Sequence, residues 1–152
     1  LWPAVDLAFR YDSAVMVERF VAGRELSTPL LGDQVLPTIE IVPAHEIYDY
    51  ECKYTAGMAR EHVAPLTAAE QADVERQARL AYAALGLAGC ARVDFRLTAE
   101  GEAYCLEANT LPGMTELSLV PQGAAAAGLL FPDLCERIVA LAAGGADASP
   151  GP

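Results

Sequence analysis

The chain reads as an α+β fold, an antiparallel β-sheet flanked by helices, on three observations. Short apolar or alternating runs up to Val42 are separated by turns of only a few residues and read as an antiparallel meander. The runs "CARVDFRLT" and "EAYCLEA" flank Ala99–Glu102 as the two arms of a hairpin. One long amphipathic helix and two C-terminal helices are set apart from the strands, which is the α+β arrangement.

The elements follow in order. Apolar positions Val5, Ala8 and Phe9 lie at helical spacing and predict a short helix over about Trp2–Tyr11. "AVMVERFV" (Ala14–Val21) reads as a strand, broken by Gly23. "ELSTPLLG" reads as a second strand, and Gly32-Asp33 as a turn. "QVLPTIEIV" alternates and reads as a third strand, completing an antiparallel meander. From Pro43 to Pro65 no periodicity survives, and a connection of that length predicts a functional lid or a mobile segment rather than a core element. Thr67 with Glu70 forms a capping box, and Gly86 ends the helix that follows, with Val74, Ala78, Ala81 and Leu85 facing the core. "VPQGAAAAGL" and "FPDLCERIVALAA" read as two further helices. Residues 1–143 form the folded unit, and "GGADASPGP" (144–152) is a flexible tail.

At 152 residues the chain suits one domain, or one large piece of a domain set. Ten Lys and Arg against 21 Asp and Glu give a net charge of −11, so no basic stripe is available for a nucleic-acid partner. That balance does not exclude ATP, since a phosphate site is local. Cys52, Cys90, Cys105 and Cys135 form no C-x-x-C pair and read as reduced thiols. No basic region followed by an apolar stretch opens the chain, and no apolar run is long enough to cross a membrane; a cytoplasmic protein with no membrane partner is expected. There is no initiator Met, and the first segment reads as a helix inside something larger, as in a fragment.

The hairpin carries the chemistry. With its turn centred on Glu100-Gly101, Thr98 pairs with Ala103, Arg96 with Cys105, Asp94 with Glu107 and Arg92 with Asn109, all on one face. Val93, Phe95, Leu97, Tyr104, Leu106 and Ala108 then form the core side. A connection with an odd number of residues would break this pairing. Two carboxylates directly opposite each other repel, and a divalent cation between them reverses that. Asp94, Glu107 and Asn109 offer only oxygen, the hard set that suits Mg²⁺ or Mn²⁺ with substrate phosphates. Arg92 on the same face could stabilise developing negative charge. The spacing equally admits a solvated face on which Arg92 and Arg96 merely neutralise the two acids.

"ARVDFRL" with "YCLEANTLPGMTELSLVP", preceded by "VERFVAGRE", "VLPTIEI" and "YDYECKY", resembles the C-terminal half of the D-alanine–D-alanine ligases of the ATP-grasp superfamily, from Leu1 to about Ala143. The resemblance implies an ATP-grasp C-terminal domain whose full-length enzyme, a homodimer, joins two D-alanines at the expense of ATP for peptidoglycan precursor synthesis. It implies that Asp94, Glu107 and Asn109 hold two Mg²⁺ (or Mn²⁺), and that Arg92 and the Gly113 N–H stabilise the tetrahedral oxyanion. Ser118 and Leu119 would receive the acceptor carboxylate where a helix begins. Glu18, Phe20 and Val21 would line the adenine pocket and Glu25 would take the ribose. Lys53 would contact phosphate from the lid, with Tyr50 and Tyr54 near the second substrate, Tyr54 favouring D-alanine over D-lactate. Glu116-Leu117 departs from the small or polar residues common there and leaves the second substrate the least secure assignment; another carboxylate–amine ligase or a non-catalytic ATP-grasp-like module stays open. The family's amino-terminal and glycine-rich-loop domains are absent, so the isolated chain is expected to be inactive.

Overall fold

The computed structural model describes residues 1–43 and 59–144. Helix α1 (Trp2–Ala8) is followed by strands β1 (Arg24–Leu31), β2 (Gln34–Val35), β3 (Ile39–Pro43) and β4 (Ala59–Val63). Then come α2 (Ala68–Ala84), the hairpin β5 (Cys90–Leu97) and β6 (Ala103–Asn109), and helices α3 (Leu119–Ala126) and α4 (Phe131–Ala142). The strands form one sheet in the order β4-β3-β1-β5-β6, with β2 folded back on β1, and every pairing is antiparallel. Among the described residues no helix is long and apolar enough to cross a membrane.

Both faces of the sheet are covered, for different reasons. On one face α2 lays Val74 and Ala78 onto Leu26, Leu30, Val93, Phe95 and Leu97. Its start is fixed as the sequence predicts: Thr67 accepts from the Glu70 N–H while the Glu70 carboxylate accepts from the Thr67 N–H. Leu85, expected on the core stripe, is the C-cap residue and 62% exposed, because the helix ends before the stripe brings it inward. On the other face α3 and α4 cover only one end, where Leu31 and Leu36 meet Val120, Ala124 and Leu134, and Ile39 and Ile41 meet Leu119. The opposite end of that face is left polar.

Four expectations are corrected. Ala14–Val21 is not a strand: it passes the β5–β6 hairpin with no ladder partner, and Met16, Val17 and Phe20 are exposed. Strand composition describes a pleated, half-buried surface, and without a neighbouring strand it forms no sheet. The predicted third strand splits into β2 and β3, interrupted around Pro37, which has no N–H to give to a ladder. The stretch Pro43–Pro65 is not wholly irregular, since Ala59–Val63 pairs with Ile39–Pro43. Its charged residues hid it, and an edge strand is where charge is expected. Helix α1 is shorter than predicted and buries no residue.

The hairpin register is right at the site and wrong at the turn. The connection Thr98–Glu102 has five residues, so Leu97 pairs with Ala103, Arg96 with Tyr104 and Phe95 with Cys105. A β-bulge between Asp94 and Phe95 then takes up Leu106 as the extra residue, and Asp94↔Glu107, Val93↔Ala108 and Arg92↔Asn109 follow as expected. Tyr104 therefore lies on the polar face, Ala103 packs toward the core, and Leu106 is 48% exposed.

Candidate functional site

Directly paired residues in antiparallel strands share a face, so the register builds cross-strand rows on the polar end of the sheet. One row is Ser27 (β1), Asp94 (β5) and Glu107 (β6); its neighbours are Arg92 with Asn109 and Glu25 with Arg96 and Tyr104. Within this patch the Ser27 hydroxyl, fully buried, donates to Asp94 Oδ1 at 2.6 Å. Arg92 Nε donates to both Asp94 oxygens at 3.1 Å, and its Nη2 stands 4.0 Å from Glu107 Oε1. Arg92 and Asp94 keep only 14% and 15% of their side-chain surface, whereas Glu107 keeps 63%. Asn109 turns its amide oxygen to the Leu111 N–H at 3.0 Å, which fixes the chain as it leaves the strand.

Glu25 pairs with Arg96 at 2.9 Å, both side chains mostly buried. Burial nevertheless raises the Glu25 carboxyl above its ordinary value; Arg96 pulls it down and Asp94 adds to the rise. Arg96 also donates to the Gly23 carbonyl at 3.1 Å and lies 5.9 Å from the Phe20 ring centroid, while Arg19 lies 5.6 Å from that of Tyr104. These contacts bring the segment with Glu18, Phe20 and Val21 alongside the hairpin. Of the two arginines expected to neutralise Asp94 and Glu107, Arg92 does so and Arg96 turns to Glu25.

Beyond Asn109 the chain folds back on itself. Ser118 is the N-cap residue of α3, but its hydroxyl accepts from the Thr115 N–H at 3.1 Å instead of capping the helix, and meets the Thr115 hydroxyl at 2.9 Å. A Cβ on Gly113 would stand 2.9 Å from Ser118 Oγ, so Gly113 and Ser118 touch only because position 113 lacks a side chain. Leu119 opens α3 and packs on Ile39 and Ile41. Gln122, one turn on, joins α3 to β4 through Glu61 and also donates to the Leu117 carbonyl at 2.8 Å.

The donor set fits a hard divalent cation. Two carboxylates and one amide side chain stand at neighbouring register positions on adjacent strands, and Glu107, 63% exposed, has only a 4.0 Å contact from Arg92. It is not a cluster of three acids or histidines, of which the described residues contain none. No sequence pattern marks Ser27, and Arg96 reads from the sequence only as a neutraliser of the two acids. Ser27 reaches Asp94 only because β1 neighbours β5, and no local pattern encodes that neighbour. Lys53, Tyr50 and Tyr54, the expected lid residues, lie outside the described residues. A surface hollow between Gln34 and the α3–α4 corner contains none of these groups.

Residues 1–140 match the family profile described as D-ala D-ala ligase C-terminus. The chain belongs to that family. A D-alanine–D-alanine ligase of Geotalea uraniireducens is 50% identical over 142 residues, covering 92% of this chain and 46% of that protein. One of Geobacter sulfurreducens is 50% identical over 139 residues, covering 90% and 44%. Among solved structures, the D-alanine–D-alanine ligase of Bacillus anthracis in complex with ATP superposes with a TM-score of 0.82 at 34% identity, over 94% of this chain and 47% of that one. A D-Ala:D-Ser ligase from Enterococcus faecalis does so with a TM-score of 0.80 at 32% identity, over 91% and 42%. The chain thus spans less than half the length of the curated relatives it matches, and within this family its fold is an antiparallel sheet flanked by helices.

Proposed function

We propose that the full-length protein joins two D-alanines to D-alanyl-D-alanine, converting ATP to ADP and phosphate, and that the chain carries the metal–phosphate and acceptor part of that site. The observation that carries this reading is the row Ser27–Asp94–Glu107 flanked by Arg92 and Asn109, in a chain of this family. In the proposed reaction the carboxylate of the first D-alanine attacks the γ-phosphoryl group of ATP, and the amine of the second displaces phosphate from the acyl phosphate. Asp94, Glu107 and Asn109 would hold two Mg²⁺ (or Mn²⁺), which when bound neutralise phosphate charge.

The chain's own residues do the rest. Arg92, bonded through Nε to both Asp94 oxygens, would offer a fixed positive charge to the tetrahedral oxyanion, and the Gly113 N–H would add a donor. Ser118 and the first N–H groups of α3 would receive the acceptor carboxylate, the Ser118 hydroxyl exchanging its Thr115 contacts for it. Glu18, Phe20 and Val21 would border the adenine, and Glu25 would meet the ribose while sharing its carboxylate with Arg96. Lys53, Tyr50 and Tyr54 would contact phosphate and the second substrate from the lid, whose closure would keep water from the acyl phosphate. A cytoplasmic homodimer is part of the same reading. The likeness to a D-Ala:D-Ser ligase means that the fold alone does not choose the second substrate.

The test is product analysis. Full-length protein given ATP, Mg²⁺ and D-alanine, with and without D-serine or D-lactate, should release one phosphate per D-alanyl-D-alanine formed. A preferred mixed product would revise the second substrate, and no D-alanine-dependent phosphate release would overturn the reading. Residues 1–152 alone are expected to show no turnover.

A further inference from the structure

Residues 14–22 have no ladder partner and bury almost nothing, yet Phe20 and its neighbours must stand at a fixed distance from the hairpin if they form one wall of a nucleotide cleft. Arg96 makes contacts that can hold them there. Its side chain is 12% exposed and sits between three groups: Glu25 Oε2 on β1 at 2.9 Å, the Gly23 carbonyl at 3.1 Å, and the Phe20 ring at 5.9 Å. Gly23 completes the seat. It has φ 150°, and a Cβ there would lie 2.2 Å from the Leu97 carbonyl oxygen, so only glycine lets the segment come this close to β5.

We propose that Arg96 is a positioning residue for the nucleotide: through Glu25, the Gly23 carbonyl and the Phe20 ring it fixes the Glu18–Val21 wall against the sheet. This rests on the reading that Glu18, Phe20 and Val21 border the nucleotide. A planar guanidinium suits the task, since one group can bond a carboxylate edge-on, donate to a carbonyl and present its face to a ring. An ammonium has donors for the carboxylate and the carbonyl but no planar fork, so it holds none of the three in a fixed geometry.

The full-length protein tests this through its steady-state constants. In Arg96→Met the KM for ATP should rise about tenfold, equivalent to ~1.4 kcal/mol, while kcat and the KM for D-alanine stay within twofold. Arg96→Lys should fall between, because charge opposite Glu25 is kept and the planar face is lost. A purely structural role would lower kcat and raise both KM values together, and that outcome, or an unchanged ATP KM, overturns the proposal. Should Arg96→Met fail to fold, Arg96→Lys decides it by the same selective rise. Wild-type protein that does not bind Mg·ATP overturns the underlying reading as well; wild-type binding with an unaltered variant overturns this proposal alone.

Discussion

Ser27→Ala isolates the hydroxyl that holds Asp94. The bond is 2.6 Å long, its donor is fully buried and its acceptor is 15% exposed, so water has no ready path to replace it. Hydrogen bonds to charged groups are worth about 1.5–3 kcal/mol. Asp94 keeps both contacts from Arg92 Nε, which places the loss near ~2 kcal/mol. With a urea m-value of ~2 kcal/mol/M the unfolding midpoint should fall by ~1 M. The second effect is on the ligand. Outer residues that orient a metal-binding carboxylate typically contribute 10–100-fold in metal affinity, so calorimetric Mg·ATP affinity should fall about tenfold. Thr28→Val is the control: Thr28 is equally buried, but its hydroxyl bonds Thr38 on the opposite face at 3.0 Å. It should destabilise the fold and leave Mg·ATP affinity unchanged. A Ser27→Ala protein with a midpoint within 0.3 M and affinity within twofold of wild type would refute the reasoning, as would equal nucleotide effects of the two substitutions.

Three further outcomes are expected. Glu40 accepts from Arg24 Nε and Nη2 at 2.9 and 2.7 Å, and that hydrogen bonding holds its carboxyl below the ordinary 4.5. A depressed carboxylate contributes stability above its unfolded value and loses it as pH falls through the folded one. Glu40→Gln should therefore cost about 2 kcal/mol near neutrality, less than a fully buried pair because Arg24 is 32% exposed, with the difference closing below pH 4.5 in urea titrations. Gly123→Ala should destabilise by about 1–3 kcal/mol in the same assay, since its Cβ would lie 2.9 Å from both Pro29 Cγ and the Pro37 carbonyl oxygen, and a backbone carbonyl cannot step aside. Gly113→Ala should displace the Ser118 hydroxyl and raise the KM of the second D-alanine several-fold with a smaller effect on that of ATP, read from initial rates at saturating co-substrate.

What the sequence disclosed and what it withheld follow physical lines. Local signals were legible: the Thr67–Glu70 capping box, the turn at Gly32-Asp33, and the alternation that sets Val93, Phe95 and Leu97 inward. A four-residue turn predicts the pairing of Asp94 with Glu107; the connection has five residues, and the pairing survives because the bulge at Leu106 compensates. Bulges leave no mark in residue type, which is why alternation alone predicts Tyr104 on the core side and the fold puts it opposite Arg96 on the polar face. Strand order is non-local, which is why Ser27 and the Glu25–Arg96 pair came only from the fold. Ala14–Val21 has a strand's composition without a strand's neighbour, and Ala59–Val63 the reverse.

The most direct measurement is calorimetric titration of full-length protein with ATP, with and without Mg²⁺, in wild type, Asp94→Ala and Glu107→Ala. Binding that requires Mg²⁺ in the wild type and is lost in both variants is the expected result. Equal, metal-independent binding by all three proteins would contradict the assignment of this carboxylate row to a metal–nucleotide site and would favour a non-catalytic module on the same fold.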